Sequence, residues 1–178
     1  MADPGLTGVL LVGGASTRFG SPKALARLGG ETLAERGWRV LGEACGERLA
    51  VGKAADGLPL PFSIVDDGTE VRAPLAGLVA GLRAAANDLV VFLPVDCFAM
   101  DAAALRALAD ACRDAAVPPR GGLPAAYRRR ALPVLERRLA AGELRLRDAV
   151  AELDAATVEL DPALLANANE PADLADPA

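Results

Sequence analysis

The sequence predicts an α/β fold, a single-domain three-layer α/β/α sandwich around a mostly parallel central sheet, and three observations point to it. Apolar, β-prone runs alternate with helix-like stretches along the whole chain. The run DLVVFLPV at 88–95 is almost uninterruptedly apolar, as a central strand covered on both faces must be. The 178 residues, 52% of them apolar, suffice for one well-buried core, so residues 1–178 are expected to form one unit.

Residues 6–12 read as the first strand, apolar and stopping at the pair Gly13 and Gly14. A helix is expected over 32–44, because Thr32 with Glu35 three positions later makes a capping box and Leu33, Trp38, Val40, Leu41 and Ala44 supply an apolar face. Two short strands follow, RLAVG at 48–52 and FSIVD at 62–66. The helix at 74–86 opens on Pro74, which suits a first turn, and its two glycines permit close packing on a sheet. After the 88–95 strand, Asp101 is placed to cap a helix over 101–114. The segment VPPRGGLP at 117–124 is rich in turn formers and ends regular structure. Beyond it the sequence predicts a short strand in LPAAY, helices at 130–140 and 145–153, a last strand in ATVEL at 156–160, and a frayed end.

Composition narrows the function classes. A net charge of −5 and a pI near 4.8 disfavour nucleic acid and anionic membranes as partners, since both are held by clustered positive charge. The longest apolar runs fall short of the ~20 residues of a membrane span, and no signal-peptide pattern opens the chain, so a cytoplasmic location is expected. Cys45, Cys97 and Cys112 show no CxxC spacing and read as buried thiols. Histidine is absent, which removes serine–histidine and cysteine–histidine nucleophiles and imidazole-ligated metals. Any metal must take oxygen ligands, which favours magnesium or manganese.

In an open α/β sheet, ligands bind beyond the carboxyl ends of the strands. Two stretches occupy that position, the loop LVGGASTRFGSPK at 11–23 and Asp96 at the end of the 88–95 strand. The loop is neither a Walker A sequence nor GxGxxG, yet it combines a glycine pair, hydroxyls at Ser16 and Thr17, Arg18, Gly20 and Lys23. Glycines let backbone N–H groups approach an anion, and the two cations neutralise phosphate charge. Lysine is rare here, with only Lys23 and Lys53 against 17 arginines, so a lysine in this loop suggests that a compact point charge is wanted. Plainer roles exist for each residue: a tight turn for Gly13 and Gly14, a solvated surface charge for Arg18, a turn for Asp66, Asp67, Asn167 and Asn169. Asp96 is a poor cap for the next helix because Asp101 is better placed. Arg128, Arg129 and Arg130 read as a charged helix start, or as a contact for acceptor phosphates.

Four segments together carry a resemblance. LVGGASTRFGSPKAL at the first strand's end, VDDGTEVRAPLAGLVAGLRAA at 65–85, FLPVDCF at 92–98 and NANEPADL at 167–174 resemble, in order and spacing, the signature segments of the molybdenum cofactor guanylyltransferase family, the MobA-like nucleotidyltransferases. The resemblance implies a nucleotide-diphospho-sugar transferase-like fold and transfer of GMP from GTP to the phosphate of molybdopterin cofactor, with release of pyrophosphate. It implies that the backbone of Leu11, Val12, Gly13 and Gly14 holds base and ribose, that Arg18 and Lys23 hold the triphosphate, that Asp66 contacts the nucleoside, that Asp96 holds magnesium, and that Asn169 helps at the metal or the acceptor. Asp66 is preferred to Asp67 because its distance to Pro74 matches the family's. The attacking phosphate is already ionised at neutral pH, so Arg18, Lys23 and Asp96 serve catalysis by alignment and charge neutralisation, and a chain without histidine loses nothing.

The chain also departs from the family pattern. RFGSPK is one residue shorter than the family's loop and lacks the aspartate before the lysine; Gly52 stands where an asparagine is common; Cys97 and Phe98 replace Thr-Pro-Phe; Glu170 replaces a threonine; and 115–128 is compressed. These departures leave open a related transferase with another nucleotide or acceptor, such as a CTP-dependent cytidylyltransferase for the same pterin, and a nucleotide-binding regulatory protein without turnover.

Overall fold

The computed structural model describes residues 1–13, 22–119 and 121–174. A seven-stranded sheet lies between two layers of helices. In chain order its strands are β1 (Asp3–Leu11), β4 (Cys45–Gly52), β5 (Ile64–Asp66), β6 (Leu89–Pro94), β7 (Ala115–Val117), β8 (Ala125–Arg128) and β9 (Ala155–Thr157). The helices are α1 (Leu33–Ala44), α2 (Pro74–Ala84), α3 (Ala102–Ala111), α4 (Leu132–Ala140) and α5 (Leu146–Val150). A two-stranded ribbon, β2 (Arg27–Leu28) with β3 (Glu31–Thr32), stands apart from the sheet and turns through Gly29 and Gly30, both at positive φ.

Strand order is β5-β4-β1-β6-β8-β7-β9. All pairings are parallel except those of β8, which runs antiparallel to β6 and β7, so the sheet is mixed but mostly parallel. The middle of the sheet is buried on both faces, and its residues alternate between two cores. Leu6 and Leu10 of β1, with Val91 and Leu93 of β6, face α1 and α3. Val9 and Leu11, with Val90 and Phe92, face α2 and α4. That alternation is what makes the fold three layers deep.

The helices start where their chemistry directs. Thr32 Oγ1 accepts from the Glu35 N–H at 3.1 Å while the Thr32 N–H donates to Glu35 Oε2 at 2.8 Å, the reciprocal cap expected for α1. Asp101 accepts from the Ala104 N–H at 2.8 Å and caps α3. Two helices approach the sheet closely because a side chain is missing at the contact. A Cβ on Gly37 of α1 would lie 2.6 Å from Leu10 Cδ1, and one on Gly81 of α2 would lie 2.6 Å from Phe92 Cε1. At the edge of the core beside α1, the partly buried Trp38 stacks on Phe62 with ring centroids 4.2 Å apart, and the Arg48 guanidinium sits 4.7 Å from the indole.

The structure departs from the sequence-based expectation at several element bounds: β1 begins at Asp3 rather than residue 6, β4 at Cys45 rather than residue 48, β5 covers only Ile64–Asp66, α3 ends at Ala111 rather than residue 114, and α5 covers Leu146–Val150 rather than 145–153. β7 lies in a segment too short to show a period, the β2–β3 ribbon has only two residues a side, and β9 covers 155–157 rather than 156–160. The expected frayed end at 175–178 lies outside the described residues. Among the described residues no helix is long and apolar enough to cross a membrane.

From β1 the chain moves outward to β4 and β5, then crosses to the other side of β1 to form β6. The crevice between β1 and β6 is therefore the topological switch point of the sheet. The carboxyl ends of the strands are level there, with Leu11 beside both Val51 and Pro94, and Gly52 beside Asp66.

Candidate functional site

A cleft of about 520 Å³ opens at this edge. Its floor is the ends of β1, β4 and β6, namely Leu11–Gly13, Val51–Lys53 and Pro94–Cys97. One wall is the loop 71–73 running into Pro74 and Gly77 of α2; the facing wall is Gly122, Leu123 and Leu146. The ladder continues past the strand ends, with Val12 N–H donating to Val51 O and Val95 N–H to Leu11 O, each at 3.0 Å, so the floor is held as firmly as the sheet.

Lys23 begins a short 3-10 turn, Lys23–Leu25, that Pro22 introduces and the buried Ala24 anchors beneath. Its Nζ meets Asp96 Oδ2 at 3.1 Å, joining residues 73 positions apart. Asp96 follows β6, and its backbone is fixed on both sides: Cys97 N–H donates to Pro94 O at 3.0 Å and Ala168 N–H donates to Asp96 O at 2.9 Å. Both side chains remain open to the cleft, with relative exposures of 20% and 29%. The C-terminal segment is docked a second time where the Cys97 thiol donates to Asn167 Oδ1 at 3.0 Å. Burial, reinforced by the Asp96 charge, pushes that thiol up to about 12, so it stays protonated and remains a donor.

Leu11, Val12 and Gly13 line the cleft as the strand-end reading expects, and Gly14 and Arg18 lie outside the described residues. Asp66 is not part of the lining. Its carboxylate accepts from the N–H groups of Ala54 and Gly68, each at 2.7 Å, and these bonds hold its pKa below the usual carboxylate range. Asp67 lines the cleft instead, paired with Lys53 at 2.6 Å. Asn169 also lies off the cleft, with its N–H on Asp173 Oδ2 at 2.7 Å; Asn167 is the tail residue that reaches it. The arginines at 128–130 sit at the opposite end of the sheet, where Arg128 pairs with Asp88, Arg130 with Asp114, and Arg129 donates to the carbonyls of Ala85 and Asn87. They follow the one reversed strand, which carries them away from the cleft.

Lys53 and Arg72 are cleft residues to which the sequence reading assigned no role. Arg72 is half exposed and grips Asp56 through two hydrogen bonds of 2.8 and 3.3 Å. The scarcity of lysine was the signal for Lys53. Among the described residues the lining gathers three cations, Lys23, Lys53 and Arg72, each paired with a carboxylate, Asp96, Asp67 and Asp56 respectively. An anionic ligand would therefore be met by cations released from, or shared with, these pairs rather than by an excess of positive charge.

Comparison with known proteins agrees with this geometry. The profile of the MobA-like NTP transferase domain matches residues 8–157, from the second half of β1 to the end of β9. The chain belongs to this family. A probable molybdenum cofactor guanylyltransferase from Deinococcus radiodurans is 37% identical over 96% of the chain and 93% of its own length, and another from Opitutus terrae is 40% identical over 83% and 79%. Among solved structures, molybdopterin-guanine dinucleotide biosynthesis protein A from Archaeoglobus fulgidus superposes with a TM-score of 0.79 over 94% of both chains at 23% identity. The 2-C-methyl-D-erythritol 4-phosphate cytidylyltransferase of Thermus thermophilus gives 0.69 over 98% and 96% at 22% identity. At those identities the two superpositions speak for the MobA-like fold. Membership of the family assigns the protein nucleotidyl transfer as its general chemistry.

Proposed function

We propose that this MobA-like protein transfers GMP from GTP to the terminal phosphate of molybdopterin cofactor and releases pyrophosphate, with magnesium as its cofactor. The observation that carries the reading is the contact between Lys23 and Asp96, a cation and a carboxylate from distant parts of the chain, both open to one cleft at the switch point of the sheet. The identities of the relatives named above add weight to the choice of nucleotide and acceptor.

The donor set fits a hard divalent ion. No cluster of three acidic, cysteine or histidine side chains exists among the described residues, and none is needed, because magnesium is commonly held by one or two carboxylates with substrate phosphates and water. Asp96 would hold it, and magnesium would offset the charge that develops on the leaving pyrophosphate. Asn169, the other residue proposed at the metal or the acceptor, is not among the lining residues, although the adjacent Ala168 N–H bonds Asp96 O. In the transfer, an acceptor phosphate oxygen forms a bond to the α-phosphorus while the bond from that phosphorus to the β-bridging oxygen breaks. No proton need move. Lys23 neutralises phosphate charge, joined in this reading by Arg18, while the backbone of Leu11, Val12, Gly13 and Gly14 seats the nucleoside; of the two adjacent aspartates, Asp67 and not Asp66 lines the cleft.

One feature favours a second reading. The wall of Gly122, Leu123 and Leu146 carries no ionisable side chain among the described residues, which suits an acceptor with an apolar face as well as a polar pterin. The test is pyrophosphate release from pure protein, magnesium, each nucleoside triphosphate in turn, and molybdopterin. Release with GTP alone supports the proposal. Release only with CTP, or only when another phosphorylated acceptor replaces the pterin, supports the second reading; binding without release under any pairing overturns both.

A further inference from the structure

The chain uses arginine for 17 of its 19 cations, and its only two lysines line the same cleft. Lys53 follows β4 immediately and lies beneath the loop that links β5 to α2. Its Nζ donates to Asp67 Oδ1 at 2.6 Å, to Val71 O at 2.9 Å and to Thr69 O. An ammonium has three protons, and here each meets an acceptor on one short loop. The planar fork of a guanidinium cannot converge on three acceptors around a single point, which accounts for lysine at this position. The pair is nearly closed to solvent, with exposures of 11% for Lys53 and 8% for Asp67.

The loop takes its remaining order from within. Thr69 N–H donates to Asp67 Oδ1 at 3.2 Å, Val71 N–H to Thr69 Oγ1 at 3.1 Å, and Asp67 N–H to Gly52 O at 3.0 Å. It then passes through Arg72 and Ala73 into α2 and forms one wall of the cleft. Adjacent strands are about 4.8 Å apart, so the ends of β4 and β5 lie roughly 10 to 14 Å along the sheet edge from Asp96 at the end of β6. That span is within reach of a nucleoside triphosphate whose phosphates lie at Lys23 and Asp96 and whose nucleoside lies toward β4 and β5, the orientation in which this wall would meet the base and ribose.

We infer that Lys53 is a positioning residue: it clamps residues 67–71 as a rigid wall for the nucleoside and makes no contact with phosphate. The inference rests on reading the cleft as the nucleotide site. It separates the roles of the two lysines, Lys23 toward the phosphates and Lys53 toward the frame that receives the base and ribose.

The experiment compares wild type, K53M, K53R and K23M for binding of GMP and of GTP with magnesium by calorimetry, with amide hydrogen exchange measured on the ligand-free proteins. In K53M, exchange across 66–73 accelerates at least tenfold while α1 and α3 are unchanged, and GMP and GTP weaken by a common factor of about tenfold. K53R shows the same defect, because charge without convergent geometry does not restore the wall. K23M does the opposite and weakens GTP far more than GMP. If K53M fails to fold, the double variant K53M/D67N, which leaves no unpaired buried charge, gives the same two readouts. Unchanged exchange at 66–73, full rescue by K53R, or a loss that grows with the number of phosphates overturns the inference. A wild-type protein that binds neither guanine nor cytosine nucleotides overturns the nucleotide-site reading itself, and this role with it.

Discussion

Two lysine–aspartate pairs sit on the floor of one cleft and differ in almost everything except their chemistry. Lys23 and Asp96 meet at 3.1 Å with both side chains open to solvent; Lys53 and Asp67 meet at 2.6 Å with both nearly closed off. A pair that is partly open to solvent is screened more than a closed one, so its partners exchange more readily for a ligand's charges. A buried pair is costly to break, because the survivor is left as an uncompensated charge. The same two residue types can thus serve as a replaceable contact or as a fixed brace, and burial decides between them.

The sharpest way to break this contrast is to remove each carboxylate in turn. Asp96→Ala is expected to lower pyrophosphate release by roughly 10³-fold, the scale of losing a main electrostatic contact in the transition state, while its melting temperature stays within a few degrees of wild type. Asp67→Ala is expected to show the reverse emphasis. Stranding Lys53 costs about 3 kcal/mol and lowers the melting temperature by roughly 6 to 12 °C. A stable, active Asp67→Ala protein would erase the distinction.

The neighbouring Asp66 refines it. Backbone N–H groups, that of Ala54 first, hold its pKa below the usual range. A carboxyl whose folded pKa is depressed adds stability that is fully present above its unfolded value, about 3.9, and is lost as the pH falls through the folded one. The melting temperature of Asp66→Ala should therefore lie below wild type at pH 6, and the two should converge as the pH falls through the depressed folded-state pKa, as a pH series of thermal melts will show.

The smallest effect concerns Cys97, next to Asp96. Burial pushes the thiols of Cys45 and Cys97 up to about 12 and that of Cys112 to about 11. Native protein at pH 8 should leave all three unmodified by iodoacetamide over an hour, and denatured protein should modify all three, as counted by mass spectrometry. Modification of Cys97 alone would mean that the floor of the cleft opens beside the Lys23–Asp96 pair.

How much of this was legible in the sequence follows from what each element needs. β1 and β6 announce themselves because a strand buried on both faces must be apolar throughout, and α1 and α3 because their caps are local. β7, three residues long, is held by its neighbours and leaves no periodic trace, whereas β9 was legible in ATVEL as a strand but not in its bounds. Lys23 and Asp96 were legible as strand-end residues, although their contact across 73 positions was not. Asp66 and Asp67 are adjacent, and which one enters the cleft is set by the Lys53 contacts and the turn at Ala54, neither of which spacing reveals. Asn167 and Asn169 pose the same difficulty, decided by a thiol hydrogen bond on one and Asp173 on the other.

The stack of Trp38 on Phe62 has a practical consequence. Trp38 is the sole indole of the chain, it is packed at the edge of the core outside the cleft lining, and no aromatic ring lines the cleft among the described residues. Its emission should respond when the whole molecule melts yet stay silent when the cleft fills, so a fluorescent nucleotide analogue can be titrated against a quiet optical background.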